Sequence, residues 1–297
     1  MEMLSALETA RLLPYPQLAQ AIAEVSGDPS VQAPERLVVP LPGGATLLLM
    51  PAADPQVTVT KLVTVHPGQS PSVRAEVWVM RTPTGERVAL LDGSVVTARR
   101  TAAVSLLAAQ KLAPNPQGPL LMVGAGVQAR AHLEAFQVGL GVQEVYVCSR
   151  TPPHSRALAD HARALGMGAQ VVENPLEVLD RVSLIVTATS STTPVLADTV
   201  REDAFIAAVG AYRPDMAELP PSLVQRARVF VDTLEGARAE AGDLIQAGVD
   251  WGRVRSLAQA LESPPPGLGP VLFKSVGHAR WDLAACRLAL AQLQGRS

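Results

Sequence analysis

A glycine turn between two apolar runs is the clearest sign of chemistry in this 297-residue chain. Leu120–Val123 is followed by the turn GAGVQA, an amphipathic stretch and a second apolar run, Val145–Cys148. This order predicts a strand, a turn, a helix and a strand. In such a unit Gly124 permits the tight turn, Gly126 lets the backbone approach a pyrophosphate, and the small Ala129 lets the helix pack closely. Because a helix start also attracts phosphates, the pattern predicts a bound dinucleotide, with a purely structural turn as the alternative.

The residues after the second apolar run indicate which dinucleotide is preferred. An NAD site usually has an acidic residue here, which binds the ribose 2′-OH. This chain has Ser149, Arg150 and Thr151 instead. A guanidinium and two hydroxyls suit a 2′-phosphate, so the sequence favours NADP(H), with NAD(H) as a possible cofactor. The alternative is that Arg150 is an ordinary solvated arginine.

Lysine is rare in this chain. Of 25 basic residues only three are lysines, Lys61, Lys111 and Lys274. Lys61 stands inside the apolar run Val57–Val65, which reads as a strand. A lysine in such a run calls for a chemical reason, so Lys61 is a candidate functional residue.

Composition excludes several classes of function. The chain is 48% hydrophobic and 18% charged with a net charge of −2, which gives no reason to expect nucleic acid or an anionic membrane as a partner. No apolar run is long enough to span a bilayer and no secretion signal is evident, so we expect a soluble cytoplasmic protein. Cys148 and Cys286 fit buried thiols in a reducing compartment, and the five histidines form no metal-ligand spacing with them, so we expect no metal.

The first part of the chain reads as helices followed by a mostly antiparallel sheet. Residues 5–25 predict helix with a break at Pro14 and Pro16, and a helix capped near Ser94 or Thr97 runs to Leu112. The proline-rich segment 114–119 then predicts a domain boundary. The predicted strands are Arg36–Pro40, Thr46–Met50, Val57–Val65, Ala75–Met80 and Arg87–Leu91.

The second part alternates strands and helices, as a doubly wound sheet does. The turns 187–191 and 210–215 follow apolar runs, and ligands of such sheets bind at the carboxyl ends of strands, although plain polar loops are the alternative. Pro264–Gly267 ends a helical region, and 271–277 leads into a last amphipathic helix, which we expect to return to the first domain. The predicted strands are Val171–Val172, Leu184–Ala188, Phe205–Val209 and Val229–Val231, and the predicted apolar face of the last helix is Leu283, Cys286, Leu290 and Leu293.

Four ordered motifs together resemble one known family. VVTARRTAAVS (95–105), VGAGVQAR (123–130), AVGAYRPDMAEL (208–219) and FKSVGH (273–278) are similar to segments of the ornithine cyclodeaminase and mu-crystallin family. The resemblance covers nearly the whole chain. It implies an α/β fold in which a Rossmann dinucleotide-binding domain is inserted into a smaller α+β domain for substrate binding and dimerisation. It further implies an active site between the two domains, homodimers, and small α-amino or α-imino acid substrates. We accordingly predict domains at 1–113 and 114–270, with 271–297 returning to the first.

The resemblance also implies roles for particular residues. Arg36, Lys61 and Arg100 match family positions that bind the substrate carboxylate, and a small carboxylate taken out of water does need charge-assisted donors. Lys61, or a water beside it, is the predicted proton donor. The predicted cofactor residues are Gly124, Gly126, Val127 and Gln128 at the pyrophosphate, Ser149, Arg150 and Thr151 at the adenosine side, and Thr189, Val209 and Ser275 at the nicotinamide half.

Two departures from the cyclodeaminase pattern decide the predicted reaction. Tyr212 stands where ornithine cyclodeaminases carry an aspartate, and Thr46–Met50 lacks their glutamate, so the distal ammonium of ornithine has no acidic partner. The sequence therefore predicts NAD(P)H-dependent reduction of Δ1-pyrroline-2-carboxylate or Δ1-piperideine-2-carboxylate to L-proline or L-pipecolate. The alternatives are ornithine cyclodeaminase, an L-alanine-type amino-acid dehydrogenase, and a non-catalytic binding protein like mu-crystallin.

Overall fold

The computed structural model describes residues 1–69, 73–263 and 267–295. The chain forms two compact units, one of Met1–Arg100 with His278–Ser297 and the other of Thr101–Gly277. The predicted break at Pro264–Gly267 falls largely outside the described residues. Up to the end of the third helix the elements are β1 (Glu2–Met3), α1 (Ala6–Arg11), α2 (Tyr15–Ser26), β2 (Leu37–Pro40), β3 (Thr46–Ala53), β4 (Val57–Val65), β5 (Val73–Arg81), β6 (Arg87–Asp92) and α3 (Gly93–Leu112).

The rest of the chain alternates strands and helices, as its sequence predicts. Short 3₁₀ turns lie at Pro42–Gly44 and Pro175–Glu177. The remaining elements are β7 (Leu120–Val123), α4 (Val127–Leu140), β8 (Glu144–Cys148), α5 (Pro152–Ala164), β9 (Gly168–Val171), β10 (Leu184–Thr187), β11 (Phe205–Ala208), α6 (Pro221–Arg226), β12 (Arg228–Val231), α7 (Leu234–Glu240), α8 (Gly242–Gln246), β13 (Arg255–Ser256), α9 (Leu257–Glu262), β14 (Val271–Lys274) and α10 (Ala279–Gln294).

The first unit is built on a six-stranded sheet in the order β1-β6-β5-β4-β3-β2. Every neighbouring pair is antiparallel except β1 with β6, which confirms the predicted antiparallel sheet. Along β4 the side chains alternate between buried and half-buried, so one face of the sheet is turned to the core. α10 packs against β3, β4 and α2, and therefore covers this buried face.

α3 begins directly at the end of β6, earlier than the sequence predicts. Neither Ser94 nor Thr97 caps it, because Asp92 Oδ1 accepts a hydrogen bond from Val95 N at 2.9 Å. The division between the units falls between Arg100 and Thr101, inside this helix, whereas the predicted boundary after residue 113 lies at its far end. The predicted proline-rich break ends the helix; it does not divide the units.

The second unit contains an eight-stranded sheet in the order β13-β12-β14-β11-β10-β7-β8-β9, and all its pairs are parallel. Counted from β7, the strands from β9 to β11 follow the 3-2-1-4-5 order of a Rossmann sheet, which confirms the predicted α/β fold. The order reverses between β7 and β10, and ligands of such sheets bind at this point.

β14 shows where the predicted segment 271–297 is divided. Its four residues are fully buried and pair with β11 on one side and β12 on the other, so the strand belongs to the second sheet. Only α10, which follows it, belongs to the first unit. Four consecutive buried residues are typical of an internal parallel strand, which explains why this segment does not simply lead into the helix.

Cys148 and Cys286 are both buried free thiols that form no disulfide bond, as predicted. Within the described residues no helix combines the length and the apolar composition that crossing a membrane requires.

Candidate active site

The turn between β7 and α4 fits a pyrophosphate. Gly124 has a φ of +114°, and a Cβ at this position would lie 2.5 Å from Ala188 O, so only glycine is accommodated. Gly124 N donates to Cys148 O at 2.8 Å, which fixes the turn to the end of β8. Gly126 is the N-cap of α4 and provides no side-chain hydrogen bond, and nothing lies within 4 Å of a Cβ built on it. The first N–H groups of α4 are therefore accessible to an anion.

The first two residues of α4 complete the predicted pyrophosphate site. Val127 is 71% exposed, so its backbone can be approached from solvent. Gln128 Oε1 is buried without a hydrogen-bond partner among the described residues. Because buried polar atoms are normally hydrogen-bonded, this oxygen calls for a donor, which a hydroxyl of a bound molecule or a water would supply and a deprotonated pyrophosphate would not. The turn and the helix start thus fit a dinucleotide.

The predicted adenosine side lies between β8 and α5. Arg150 is exposed, and Thr151 is the N-cap of α5. Ser149 Oγ lies 2.7 Å from Ser155 Oγ and 3.2 Å from Thr151 O, so this hydroxyl has partners within the protein. Of the three predicted residues, Arg150 is thus the one best suited to bind a phosphate.

The residues predicted at the nicotinamide half lie at the carboxyl edge of the second sheet. Thr189 follows β10, Val209 follows β11 and Ser275 follows β14, and these strands are direct neighbours. Val209 N donates to Thr187 O at 2.9 Å, and Ser275 N donates to Ala208 O at 3.1 Å, so the backbone pairing continues just past the strands. The fold therefore brings these three residues to one edge of the sheet, together with Gly124.

A buried carboxylate that is not among the predicted site residues holds two of these loops together. Glu218 is fully buried and accepts five hydrogen bonds on its side chain. Oε1 accepts from Thr189 N at 2.7 Å and from Thr189 Oγ1 at 2.9 Å. Oε2 accepts from Thr187 Oγ1 at 3.0 Å, Gly210 N at 2.7 Å and Ala211 N at 3.3 Å. Glu218 therefore fixes the loops after β10 and β11 to each other.

Two further buried aspartates support the same edge. Asp232 Oδ2 accepts from Ser275 Oγ and from Gly277 N, both at 2.8 Å, so Ser275 is held by the protein itself. Asp243 Oδ1 accepts from Glu218 N at 2.6 Å, and Oδ2 lies 2.7 Å from Lys274 Nζ. Glu218, Asp232 and Asp243 each stand beside apolar residues in the sequence. This apolar neighbourhood is the sequence feature that indicates their burial.

In the first unit, Lys61 and Arg100 meet at a further buried carboxylate, which is not among the predicted site residues. Lys61 lies on the buried face of β4, Arg100 on α3 and Asp282 in the first turn of α10. Lys61 Nζ lies 3.0 Å from Asp282 Oδ1 and 2.9 Å from Oδ2, and Arg100 Nε lies 3.2 Å from Oδ1. Lys61 Nζ also donates to Thr97 Oγ1 at 3.2 Å. We call Lys61, Arg100 and Asp282 the buried charge cluster; their exposures are 1%, 5% and 0%.

The buried charge cluster contains two cations and one carboxylate. Burial lowers the pKa of Lys61 to about 8, and the nearby charges of Arg100 and Arg36 lower it as well, whereas Asp282 raises it. Arg36 is half-buried and directly precedes β2, the edge strand of the same sheet, and its charge also lowers the pKa of Lys61. An excess of buried positive charge is costly unless an anion neutralises it.

A parallel sheet in this order, with a glycine turn before the helix that follows its central strand, defines a Rossmann-type dinucleotide-binding protein. The chain belongs to the ornithine cyclodeaminase/mu-crystallin family, whose model matches residues 5–295.

The chain is similar to several proteins that are named as reductases. It is 41% identical to Delta(1)-pyrroline-2-carboxylate reductase 1 of Burkholderia multivorans, over 98% of this chain and 96% of that protein. It is 35% identical to the ketimine reductase mu-crystallin of Rattus norvegicus, over 95% and 92%. Among solved structures, that of Thermococcus litoralis Delta(1)-pyrroline-2-carboxylate reductase in complex with NADH and L-proline matches with a TM-score of 0.92 and 25% identity, over 100% of this chain and 98% of that chain.

The role of Glu218 leads to a first prediction. In Glu218→Gln an amide NH₂ replaces one acceptor, so buried N–H donors lose their partner at about 1–3 kcal/mol each. We expect a lower melting temperature and at least about tenfold weaker NADPH binding, measured by calorimetry. Glu202→Gln removes an exposed carboxylate of the same unit and should change neither quantity. If NADPH affinity were equal in the two variants, Glu218 would have no part in shaping the cofactor site.

Proposed function

We propose that this protein is an NAD(P)H-dependent ketimine reductase that converts Δ1-pyrroline-2-carboxylate or Δ1-piperideine-2-carboxylate to L-proline or L-pipecolate. The observation that carries the proposal is the buried charge cluster, whose two cations face a single internal carboxylate. One small monocarboxylate would balance the remaining charge. The names of the relatives, Delta(1)-pyrroline-2-carboxylate reductase and ketimine reductase, support this substrate class.

In this proposal the residues of the first unit bind and protonate the substrate. Arg36, Lys61 and Arg100 bind its carboxylate, which orients the C=N bond, and such positioning contributes a large part of many enzymatic rate enhancements. When bound, the reduced nicotinamide supplies the hydride to the imine carbon. The imine nitrogen gains a proton, so the products are the cyclic amino acid and the oxidised cofactor. With a pKa of about 8, Lys61 is protonated at neutral pH and is suited to deliver that proton.

The local chemistry does not favour ornithine cyclisation. β3 carries no acidic residue, so it offers no partner for a distal ammonium. Tyr212, in the loop after β11, is 46% exposed and carries a phenol in place of a carboxylate. An ammonium taken out of water without an acidic partner costs several kcal/mol. An amino-acid dehydrogenase and a binding protein without turnover remain as alternatives that an assay separates.

The activity itself is tested by steady-state assay. We expect one NADPH to be consumed for each cyclic ketimine, and Arg100→Ala to lower kcat/KM on the order of 100-fold, because a buried hydrogen-bonded charge contributes about 2–5 kcal/mol. Arg81→Ala removes an exposed arginine of the same unit and should leave kcat/KM unchanged. Ammonia released from L-ornithine without added reductant would identify a cyclodeaminase instead. NADPH binding without turnover of either ketimine would identify a binding protein.

We further propose that NADP(H) is preferred over NAD(H), because Arg150 is exposed and no carboxylate stands at positions 149–151. Arg150→Asp should raise the KM for NADPH about 10- to 100-fold, as expected for loss of a charged hydrogen bond, and change the KM for NADH little. Arg163→Asp makes the same charge change at the other end of α5 and should leave both values unaltered. If the ratio of the KM for NADPH to the KM for NADH were unchanged in Arg150→Asp, the proposed contact between Arg150 and the 2′-phosphate would be contradicted.

We also propose a homodimer formed through the outer face of the six-stranded sheet. Apolar side chains pair across strands on this face, Leu49 with Leu62 and Trp78 with Leu90, and all four are only half-buried. A two-fold axis would bury these apolar side chains against the same face of a second copy.

The dimer is tested by placing a charge on this face. Trp78→Arg should convert the dimer to a monomer in sedimentation velocity, because an unpaired guanidinium would be buried at the interface. Val138→Arg changes an exposed apolar residue of α4 and should leave the sedimentation coefficient as in the parent protein. A dimer that persists in Trp78→Arg would rule out this face.

A further inference from the structure

The charge balance of the buried charge cluster is set by one residue, Asp282. Lys61 and Arg100 come from a strand and a helix that are distant in sequence, and both contact the same carboxylate. Without Asp282, two cations would lie side by side in the core and repel each other. With it, one positive charge remains within the buried charge cluster for a bound carboxylate to neutralise, and the half-buried Arg36 is not part of this count.

Asp282 is held firmly because α10 is fixed to the first unit at several points. Arg280 Nη1 donates to Val25 O at 2.8 Å and to Asp28 O at 3.1 Å, and its Nη2 donates to Val31 O at 3.2 Å. Further along the helix, Arg287 pairs with the buried Asp54. These contacts fix the start and the middle of α10, so the position of the Asp282 side chain is determined by packing.

The two cations that contact Asp282, Lys61 and Arg100, are also held in position by their neighbours. Arg99, next to Arg100 on α3, donates from Nε to Leu13 O at 2.7 Å, and its guanidinium lies 3.9 Å from the centre of the Tyr15 ring. Lys61 Nζ is directed by Thr97 from the same helix. The three charged groups are therefore held at fixed separations before any ligand binds.

We propose that Asp282 is a positioning residue for the substrate carboxylate. It holds the Lys61 ammonium and the Arg100 guanidinium as a preformed pair of donors, and it neutralises only one of their two positive charges, so that one positive charge is left for the substrate carboxylate. The inference rests on the proposed function, because it takes Lys61 and Arg100 as the carboxylate-binding residues. It adds that the binding site is tuned by an internal anion that itself does not touch the substrate.

The electrostatic role of Asp282 differs from a purely structural one in its effect on Lys61. The groups that face this ammonium are Asp282 and Cys286 on α10, Arg100 on α3, and Arg36 before β2. Burial raises the pKa of Cys286 far above its usual range, so the thiol stays neutral. Asp282 is thus the negative charge that opposes burial, Arg100 and Arg36, and it keeps Lys61 charged up to about pH 8.

The sign of the pH dependence follows from this balance. A lysine is charged below its pKa, so both donors are charged below about pH 8, and carboxylate binding weakens as the pH rises through that value. Removal of the Asp282 charge lowers the pKa of Lys61 further, because the main force that favours the ammonium is lost. The loss of binding should therefore begin at a lower pH.

The small number of lysines allows a direct measurement. Protein labelled with ¹³C-lysine should show three Cε signals, for Lys61, Lys111 and Lys274, which Lys→Arg variants assign. We expect the Lys61 signal to titrate at about 8 in the parent protein. In Asp282→Asn it should titrate about 1–3 pH units lower, as is typical when a close opposite charge is removed. The affinity for pyrrole-2-carboxylate, a flat mimic of the ketimine, should fall over the same shifted pH range.

A matched control removes a different buried carboxylate. Asp54 is buried in the same unit and pairs with Arg287 on the same helix, so Asp54→Asn reproduces the loss of a buried ion pair. It should lower thermal stability yet leave the Lys61 titration where it is in the parent protein. If Asp282→Asn left this titration in place as well, the proposed role of Asp282 would be overturned.

Two further measurements keep the test decisive if Asp282→Asn fails to fold. Saturating pyrrole-2-carboxylate should raise the pKa of Lys61 in the parent protein, and an unchanged value would contradict the carboxylate site. Asp282→Glu keeps the charge but moves it by one methylene group, so it should bind this ligand about tenfold more weakly. Equal affinity in Asp282→Glu and the parent protein would show that the position of the side-chain carboxylate at residue 282 does not affect ligand binding.

The outcomes separate this inference from the proposed function. Absence of ketimine turnover in the parent protein rejects the reductase, whatever Lys61 does. The Lys61 titration is measured without cofactor or turnover, so an unmoved titration in Asp282→Asn rejects the role of Asp282 even if the enzyme is active.

Discussion

Two cations and one carboxylate, buried together in the first unit, are the constraint on which the candidate active site depends. A lysine on the inner face of a strand is destabilising unless an acid reaches it. Here the acid comes from α10, more than two hundred positions further along the chain, at Asp282. The sheet, α3 and the last helix must therefore assemble around the same charges. Because one carboxylate neutralises only one of the two cations, a positive charge remains that can bind an anionic ligand.

The second unit uses internal carboxylates differently. Glu218, Asp232 and Asp243 accept hydrogen bonds mainly from backbone N–H groups and hydroxyls at the carboxyl edge of the sheet. Loops at such an edge have no regular partner for their backbone groups, and a buried carboxylate can satisfy several donors at once. The same residue type thus balances charge in one unit and fixes loop conformation in the other. In both cases the acid prepares a site without itself being exposed.

Much of the fold follows from local patterns, but the supporting acids do not. The glycine turn, the alternation along β4 and the four-residue apolar strands each reflect neighbours in sequence, so the α/β fold and most strands were predicted. Asp282 in the first turn of a helix looks like an ordinary favourable residue beside the helix dipole. Its burial depends on Lys61, which no local window contains. For the same reason the sequence predicts residues 271–277 only as an approach to the last helix, because the pairing of β14 with β11 and β12 is decided by distant segments.

The order of the strands also bears on how the chain acquires its structure during synthesis. β14 lies between β11 and β12 in the second sheet, and α10 covers the first sheet, yet both come last in the chain. While the ribosome is still elongating, β12 has no neighbour on its inner side and the face of β4 that carries Lys61 is open to water. Neither unit can close its core before β14 and α10 have been synthesised, so a translation product that stops before them would expose apolar strands of both units to aggregation.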